Sequence, residues 1–464
     1  MPAKEYILLR PDQGLVTGVM PSIEPASGAV WKTSRNAWFK EASVEHALGR
    51  SRIVKTNVQS KALANAFTSN GQKRLYYEDS GVIRYSQGGS STTLIDSLSN
   101  SPDARYWLEP WGDWLIASDN INQLKLWKNT GGFINIGTGQ FARARIAKKL
   151  AQHMIAYNTD VFPSGFHWCN ANDPETWTPA ATNSARNLPI RGLDSEIVCV
   201  TDLGASHAVY SRSTMLLVRY VGPTQWFGTP QQALQGIGAV STLSCISVGP
   251  LNYGLCRDGI FVTDGNSFQY VDRPGIDTWV QEKIDWNLAH QIAGFYDARL
   301  QLVSWSVPLL VAAPESHAVL ALDTRRRELA GFTYLEPGGG VGLRREVFDY
   351  PVRAFADALY FVSIAGSLVG DFSLTSQLMD GKDKTHQKSW DYAVFGGTLT
   401  GEVRFGFTDL PNDDTIEWGD WMPLETRVPF GPRESVYIAI EIRATSTLKL
   451  TSVQVFGEEA GSVN

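Results

Sequence analysis

Residues with catalytic potential are spread along the chain, and none of them completes a known motif. Residues 204–208 (GASHA) approach the G-x-S-x-G turn of a nucleophilic serine, but alanine stands at the last position, where the sharp turn needs glycine. Residues 338–342 (GGGVG) are glycine-rich, yet they lack the spacing of a dinucleotide-binding loop and the Lys-Ser/Thr pair of a phosphate loop. We interpret the first stretch as part of a loop and the second as a flexible connection.

Metal-binding spacing is also missing from the sequence. No two of the seven histidines lie two or four residues apart, so a zinc site is not expected. The four cysteines are widely separated and contain no C-x-x-C pair, which favours buried small apolar residues over a metal site or a disulfide framework. These cysteines are Cys169, Cys199, Cys245 and Cys256. The sequence predicts no metal and no cofactor.

Two acidic turns are followed by a tryptophan, at residues 173–177 (DPETW) and 413–418 (DDTIEW). They resemble the acidic turns of sialidase propellers, in which the aspartate caps a hairpin and the tryptophan wedges between strands. Such turns are structural and do not make an active site. A glycosidase needs two carboxylates facing each other across a cleft, which sequence spacing cannot place. We therefore predict that the protein is not an enzyme, with a propeller glycosidase as an alternative.

Compact basic clusters occur at two places outside residues 143–149. Arg325, Arg326 and Arg327 follow the apolar run AVLALDT, and Arg344 and Arg345 follow the glycine-rich stretch. The first cluster is predicted to lie at a turn. We interpret it as a solvated hairpin tip, and a contact with a partner protein is the alternative.

The third basic stretch, residues 141–154 (FARARIAKKLAQHM), fits two structures. A basic amphipathic helix could contact a membrane or a nucleic acid. However, Arg143 and Arg145 alternate with Ala144 and Ile146, which fits a strand at least as well. We favour a strand with a solvated, charged edge.

Composition limits the possible partners. The 464 residues are 43% apolar and 19% charged, with 41 basic and 47 acidic residues and a net charge of −6. This balance does not suggest a nucleic-acid-binding or membrane-binding surface, so we expect the free protein to bind duplex DNA only weakly. The N-terminus lacks the apolar core of a signal peptide, and no apolar run is long enough to span a bilayer. The expected product is soluble and made in the cytoplasm.

Short hairpins are the repeating unit that must position these residues. Residues 254–272 (GLCRDGIFVTDGNSFQYVD) contain two Asp-Gly pairs around a β-branched and aromatic run, which indicates strand, turn, strand. Similar sets of three or four short strands recur from residue 74 about every 35 to 45 residues. Such a period is typical of β-propeller blades, and six or seven blades are expected over residues 71–375. Two stacked sandwiches are the competing interpretation.

The ends of the chain follow other patterns. Residues 1–70 are poor in strand signals and are interpreted as an extended N-terminal arm that packs on another surface, with a short helix at 43–49. A loose chain end is the alternative. An apolar stripe at positions 276, 279, 280 and 284 predicts a helix between blades. After the polar stretch 375–388, longer alternating strands predict an antiparallel β-sandwich over residues 376–464. The predicted fold class is therefore all-β: a β-propeller with a C-terminal antiparallel β-sandwich.

An ordered series of motifs resembles the tail nozzle or hub proteins of short-tailed phages, also called packaged-DNA stabilisation proteins. The strongest part is HQIAGFYDARLQLVSWSVPLL followed by HAVLALDTRRRELAGF, where Asp297, Trp305, Pro308 and Asp323 fit the family pattern. Weaker matches lie before and after it. They are HWCNANDPETW, the run from Gly192 to Gly222, GIGAVSTLSC, GIFVTDGNSFQYVD, FGFTDLPNDDTIEWGDW and STLKLTSVQVF.

This resemblance implies a structural protein of the virion tail. Six copies would form a ring below the portal and its adaptor, extend the DNA channel and help to retain the packaged genome until ejection. The implied partners are other copies of the chain, the portal and adaptor proteins, tail fibres or tailspikes, and a tail needle or plug. Genomic DNA would pass through without sequence-specific binding. Another structural or binding propeller, such as an adhesion or scaffold module, is the main alternative.

Overall fold

The computed structural model describes most of the chain, and almost every secondary-structure element within it is a β-strand. The described residues are 4–9, 31–40, 43–87, 89–101, 104–229, 233–271, 276–310, 317–325, 328–334, 341–343, 347–355, 358–368, 371–380, 386–410 and 415–462. One α-helix, α1 (Ile276–Lys283), and one 3-10 helix (Trp286–Gln291) interrupt the strands of these residues. The predicted helix at 276–284 is thus confirmed.

Five strands come first in the chain. They are β1 (Lys4–Leu9), β2 (Trp31–Arg35), β3 (Ala37–Lys40), β4 (Ser43–His46) and β5 (Leu48–Lys55). Six antiparallel sheets follow, each built from consecutive strands, and we number them blades 1 to 6.

Each of these six blades contains four or five short strands. Blade 1 contains β6 (Leu63–Phe67), β7 (Lys73–Asp79), β8 (Val82–Ser86) and β9 (Thr92–Ser97). Blade 2 contains β10 (Trp107–Trp111), β11 (Trp114–Ser118), β12 (Lys125–Trp127) and β13 (Ile134–Asn135). Blade 3 contains β14 (Ala144–Leu150), β15 (His153–Thr159), β16 (Gly165–Trp168) and β17 (Arg186–Pro189). Blade 4 contains β18 (Cys199–Leu203), β19 (Ser206–Tyr210), β20 (Thr214–Gly222), β21 (Trp226–Gly228) and β22 (Leu234–Gln235). Blade 5 contains β23 (Cys245–Val248), β24 (Leu251–Cys256), β25 (Gly259–Thr263) and β26 (Phe268–Tyr270). Blade 6 contains β27 (Ala293–Asp297), β28 (Leu302–Pro308), β29 (His317–Asp323) and β30 (Glu328–Tyr334).

A seventh sheet closes the ring. It combines two strands that follow blade 6 with one strand that precedes blade 1. It contains β31 (Val352–Phe355), β32 (Ala358–Leu368) and, paired to the other side of β32, the N-terminal strand β5. A buried apolar cluster that includes Ile53, Val54, Leu75 and Leu359 joins this blade 7 to blade 1. The described residues therefore form a seven-bladed β-propeller, closed by a strand that precedes blade 1.

The first strand of each of blades 1 to 6 lies innermost. β6 contacts β10, β10 contacts β14, and the same holds from β14 to β18, from β18 to β23 and from β23 to β27. Because these strands occupy equivalent positions in their blades, they all begin at the same face of the ring. The segments that lead into them therefore converge around the propeller axis at that face.

Local turn chemistry explains why the hairpins form where the sequence predicts them. At the turn between β7 and β8, Ser80 has φ 58° and Gly81 has φ 81°, the two positive angles of a type I′ turn. A side chain at Gly81 would also meet Asn100, whose Cβ lies 3.0 Å from the position of an added Cβ. The hairpins predicted at 254–272 are the pairs β24–β25 and β25–β26 of blade 5.

The remaining strands form a β-sandwich. They are β33 (Phe372–Ser376), β34 (His386–Thr398), β35 (Glu402–Thr408), β36 (Glu417–Trp418), β37 (Met422–Pro423), β38 (Arg427–Ser435), β39 (Tyr437–Ala444) and β40 (Lys449–Ser462). One sheet has the order β3-β4-β40-β34-β38 with β1 also on β40, and the other has the order β2-β33-β39-β35-β36 with β37 on β35. Trp390, Phe405, Ile440 and Val453 are among the fully buried side chains between them.

The N-terminal segment is not a separate arm where the structure describes it. Strands β1 to β4 belong to the two sheets of the sandwich, and β5 and β6 belong to the propeller. The helix predicted at 43–49 is wrong, because residues 43–46 pair with β3 and β40 as a strand. The boundary predicted at 375/376 falls inside β33, which is a sandwich strand.

The propeller and the sandwich are packed against each other. Strands β2 and β3 of the sandwich contact β30 of blade 6. Buried apolar residues of blade 5, blade 6 and the sandwich belong to one continuous cluster, which includes Leu255, Trp305 and Phe395. The indole Nε1 of Trp305 also donates to the carbonyl of Ser244 at 2.8 Å, which ties blade 6 to blade 5.

Strand β5 gives a test of ring closure. Val54 is 2% exposed, whereas Ser51 on the same strand is exposed. Val54→Asp should lower the free energy of unfolding by about 3–5 kcal/mol, because it leaves an unpaired charge in the core between blades 7 and 1. Ser51→Asp adds the same charge outside this core and should change it by about 0.5 kcal/mol or less. Urea denaturation of both variants measures the difference, and equal stabilities would contradict closure through β5.

Candidate functional site: the axial cavity

A large cavity lies at the face of the propeller where the inner strands begin. Its volume is about 590 Å³. The walls come mainly from the segments that lead into inner strands of four blades: residues 58–61, 104–106, 242–243 and 290–293. We call this space the axial cavity. Its size falls within the range of small-molecule sites, about 300–1,000 Å³.

Cationic side chains converge on the axial cavity. Lys61 and Arg105 both line it, and each precedes the inner strand of its blade by two residues. Arg145, on the inner strand of blade 3, reaches Thr242 of the cavity wall, with Nε 3.2 Å from the threonine hydroxyl. Its Nη1 lies 3.5 Å from a carboxylate oxygen of Glu196. Burial, offset in part by Glu196 and reinforced by Arg105, lowers the pKa of Arg145.

Two histidines share the wall with these cations. Burial, together with the charges of Arg105 and Lys61, lowers the pKa of His290. Burial also lowers the pKa of His317, whose Nε2 lies 3.4 Å from the amide oxygen of Gln291. Both imidazoles therefore favour the neutral form.

Glu78 is the acidic residue that lines the cavity among the described residues. It is 1% exposed, and its carboxylate accepts hydrogen bonds from the backbone N–H of Lys61 at 2.9 Å and of Gly81 at 2.7 Å. Burial raises its pKa. Because Glu78 is buried and held by backbone donors, while two cationic side chains share the same wall, the cavity can receive an anion.

Of the arginines predicted as partner contacts, the structure describes Arg325. It follows β29 at a hairpin tip, as predicted, and its side chain is 55% exposed. The guanidinium binds the buried carboxylate of Asp323 through two contacts, at 3.0 and 2.7 Å. Arg326, Arg327, Arg344 and Arg345 lie outside the described residues. The structure therefore does not bring Arg325 into the axial cavity.

The basic stretch 141–154 contains strand β14, as favoured, but its charged side chains do not form a uniformly solvated edge. Lys148 is 5% exposed, and its ammonium lies 2.9 Å from Asp202 of blade 4. Arg143 donates to the side-chain oxygen of Asn120 at 2.9 Å, and the ammonium of Lys149 lies 4.9 Å from the ring centre of Trp111. The prediction of a solvated edge is wrong for Lys148, because β14 is an inner strand with other blades on both sides, whereas Lys149 is exposed.

The serine and histidine of the GASHA stretch have structural roles. Residues 204–205 form the turn between β18 and β19, with Gly204 at φ 59°, so no strand-to-helix elbow exists there. The imidazole of His207 is fully buried, with Nδ1 2.8 Å from the hydroxyl of Tyr157 and Nε2 3.1 Å from the carbonyl of Lys149. The interpretation of 204–208 as a loop holds for its turn, whereas Ser206 and His207 belong to β19.

Other chemical candidates in the sequence are structural as well. All four cysteines are buried and lie outside any disulfide, in agreement with their interpretation as small buried side chains. In the turn 173–177, Asp173 accepts from the backbone N–H of Glu175 at 3.1 Å, and Trp177 is 3% exposed. Residues 413–414 of the second acidic turn and 338–340 of the glycine-rich stretch lie outside the described residues. Within the described part of the chain, no three His, Cys, Asp or Glu residues lie together as a metal site.

The sequence contains a pattern that could have predicted the cationic side chains of the axial cavity, although it was not recognised in the sequence analysis. Lys61 and Arg105 each lie two residues before an inner strand, β6 and β10. Arg143 and Arg145 flank the first residue of the third inner strand, β14. A cation that recurs at the entry to successive blades points to the axis. This pattern requires strand boundaries accurate to one residue, and β6 was not among the predicted strands.

Comparisons with known proteins add no family. No protein-family model matches the sequence, and no curated protein matches it. A crystal structure of the computationally designed Ika8 protein is 10% identical, with a TM-score of 0.39, and the match covers 67% of this chain and 99% of that chain. A crystal structure of BBS1N in complex with ARL6DN is 9% identical, with a TM-score of 0.45 and coverage of 70% and 99%. A structure of PorZ, a surface component of the type-IX secretion system of Porphyromonas gingivalis, is 10% identical, with a TM-score of 0.40 and coverage of 74% and 44%.

Neither helix found in the described residues is long and apolar enough to cross a membrane.

The structural roles of Ser206 and His207 lead to a catalytic prediction. We expect the purified protein to show no turnover on a panel of sialosides, aryl glycosides and aryl esters. Each assay compares the wild type with His207→Gln at equal concentration. Turnover by the wild type that this change abolishes would contradict the structural assignment of His207.

Blade 3 also contains two buried histidines that predict a pH dependence of stability. Burial lowers the pKa of His153 and of His167 to about 4, below the unfolded value of about 6.5. The folded state therefore disfavours their protonation, so their contribution to stability is complete above pH 6.5 and declines as the pH falls toward 4. His153→Gln should flatten this decline, measured as the midpoint of thermal unfolding between pH 7.5 and 4.5. His386→Gln, at an exposed position, is the matched control and should keep the wild-type slope.

Proposed function

We propose that this protein is a structural protein of a phage virion, a subunit of the hexameric nozzle or hub of a short tail. In this role six copies form a ring below the portal and adaptor, extend the DNA channel and retain the packaged genome. The protein would be made in the host cytoplasm and would end in the virion tail. The observation that carries the proposal is the ordered series of motifs, considered together with the places that these motifs occupy in the fold.

The residues that carry the resemblance have structural positions within one blade. Asp297 is 3% exposed and caps the turn after β27, where its carboxylate accepts from the backbone N–H of Arg299 at 3.0 Å. Asp323 occupies the equivalent place after β29, and Trp305 joins blade 6 to blade 5. A likeness in such residues concerns the scaffold and not a catalytic centre. It therefore supports a shared architecture with a family of assembly proteins.

The packing of the propeller against the sandwich suits a subunit that must resist the mechanical force exerted by packaged DNA. Strands β2 to β5 are contributed by one short segment, which completes both sheets of the sandwich and closes the propeller. The shared apolar cluster joins blade 6 directly to the sandwich. A tail channel under the pressure of packaged DNA needs subunits whose domains do not move apart.

Electrostatics bears on how a ring would form. Each copy carries a net charge of −6, so six copies repel one another unless apolar contacts or paired charges at the seams offset the repulsion. We therefore expect the isolated protein to be mainly monomeric and to form a stable ring only on the portal and adaptor. A net negative charge is compatible with a channel that does not hold DNA through phosphate contacts, since such contacts would slow the passage of DNA.

Strand β1 can be removed to test whether it contributes to the contact between neighbouring copies in the ring, which we call the seam. A deletion of residues 1–40 is unsuitable, because it would also remove Trp31 and Phe39, which are buried in the sandwich. Deleting residues 2–9 removes only β1, which pairs with β40. We expect this variant to keep the thermal stability of the propeller but to be incorporated less well into tails.

Cryo-electron microscopy and mass spectrometry of purified virions measure incorporation, and mass photometry measures the free protein. Wild-type particles should show a six-fold ring of this chain below the adaptor. Normal tails with the shortened chain would place the seam elsewhere on the sandwich. Intact virions whose tails contain no ring of this protein would overturn the proposal itself.

A further inference from the structure

We propose that the axial cavity is a binding site for a small molecule that carries a phosphate or carboxylate group. The site is assigned by the cavity, its position and its cationic wall, and it does not depend on a role in a virion tail. The shared chemistry of the ligand is an oxyanion attached to an uncharged body.

The shape of the cavity is that of a preformed site. With a volume of about 590 Å³, it is larger than a side-chain packing defect and comparable to sites that enclose most of a drug-sized ligand. Its walls come from loops of several blades, whose backbone is held by the inner strands beneath them. Loops on such a rigid scaffold provide a preformed site, so a ligand loses little binding free energy to ordering the protein.

The charge of the wall favours an anion. Lys61 and Arg105 enter from blades 1 and 2, and their charges add to burial in lowering the pKa of His290. Arginine presents its charge in a planar group with several donors, of which Nη1 of Arg105 donates to the carbonyl of Ala104 at 2.9 Å, and lysine adds a point charge. Glu78, the acidic residue of the described wall, accepts from two backbone donors. Because walls of low dielectric constant focus such a field, an anion is attracted although the whole chain is acidic.

The lining is mixed in character. Leu243, Ile292 and Val341 supply an apolar part of the wall beside the two cations. A site lined only by charges would suit an inorganic ion, whereas apolar walls favour a ligand with a carbon skeleton. Hydroxyl and amide groups of Ser80, Asn100 and Gln291 can orient that skeleton by hydrogen bonds.

Isothermal titration calorimetry of the full-length protein tests the assignment at low ionic strength. The probes are glucose 6-phosphate, citrate, inorganic phosphate and uncharged glucose. We expect saturable binding of at least one of the two organic anions, weaker binding of inorganic phosphate, and no binding of glucose. The relative affinities of glucose 6-phosphate and citrate decide between a phosphate and a carboxylate.

Substitutions identify the site. Arg105→Gln and Lys61→Gln should each weaken binding of the preferred anion by about tenfold or more, since each removes a charged hydrogen-bond donor. Lys125→Gln makes the same change of charge on β12, where the ammonium contacts Asn135 away from the cavity, and should bind like the wild type. Thermal unfolding of the three variants verifies that each is folded.

Three results would overturn the assignment. Equal binding by Arg105→Gln, Lys61→Gln and Lys125→Gln would show that the anion binds elsewhere. No saturable binding of either organic anion by the folded wild type would show that the cavity is not an oxyanion site. Preferential binding of a short DNA strand over both small anions, lost in the same variants, would replace a small molecule by a polyanion and would also contradict the proposal.

The pH dependence of anion binding provides an independent test of whether His290 lies beside the bound anion. Lys61, Arg105, Glu78 and His317 are among the other titratable residues of the described wall around His290. An anion bound beside His290 stabilises the protonated imidazole, so as the pH falls from 8 to 6 the wild type should bind increasingly more tightly than His290→Gln, a comparison in which protonation of the phosphate itself (pKa about 6) cancels. His290→Gln should reduce this dependence while the anion still binds. A slope that is unchanged by the substitution would remove His290 from the site.

Discussion

The pairing of β5 with β32 is the constraint on which the rest of the structure depends. Without it, the outer edge of β32 would present unpaired backbone N–H and C=O groups, and the core between blades 7 and 1 would be open. The register joins residues far apart in the chain, for example Val54 with Leu359. The same segment has just supplied β2 to β4 to the sandwich. One stretch of about 25 residues (31–55) therefore completes both domains and fixes where the sandwich lies against blade 6.

Sequence reasoning succeeded where structure is set by neighbours in the chain. The hairpins of blades 1, 2 and 5 were predictable because turns such as Ser80-Gly81 need particular residues and because short strands follow one another directly. Sequence reasoning failed for β2 to β5. Apart from the pairing of β3 with β4, these strands pair with strands that lie more than 300 residues further along the chain. Residues 43–49 have a composition that suits a helix, but pairing of β4 with β3 and with β40 overrides a weak local preference. Local patterns cannot reveal such a partner.

The charged residues of β14 show that sequence reasoning also fails for side-chain contacts between distant parts of the chain. The alternation of Arg143, Ala144, Arg145 and Ile146 correctly predicted a strand, but it did not show that the strand is innermost. On an edge strand these cations would be solvated, whereas on β14 each must meet a partner from another blade. Lys148 meets Asp202, 54 residues further along, and without this carboxylate the buried ammonium would carry an uncompensated desolvation cost. The role of a charge in a propeller thus depends on the radial position of its strand, which the sequence pattern does not contain.

Net charge is a poor guide to the axis of this protein for a geometric reason. The inner strands of successive blades begin at one face, so a residue placed just before each strand is brought close to its counterparts, although they lie tens of residues apart in the chain. Lys61 and Arg105 occupy this position and sum their fields within the cavity, whereas exposed acidic residues such as Asp349 are screened by water and salt. Two cations at the convergent position outweigh, at short range, an excess of six negative charges spread over the whole molecule. For a propeller, the residues that lead into the inner strands are therefore the ones whose charge decides what the axis can bind.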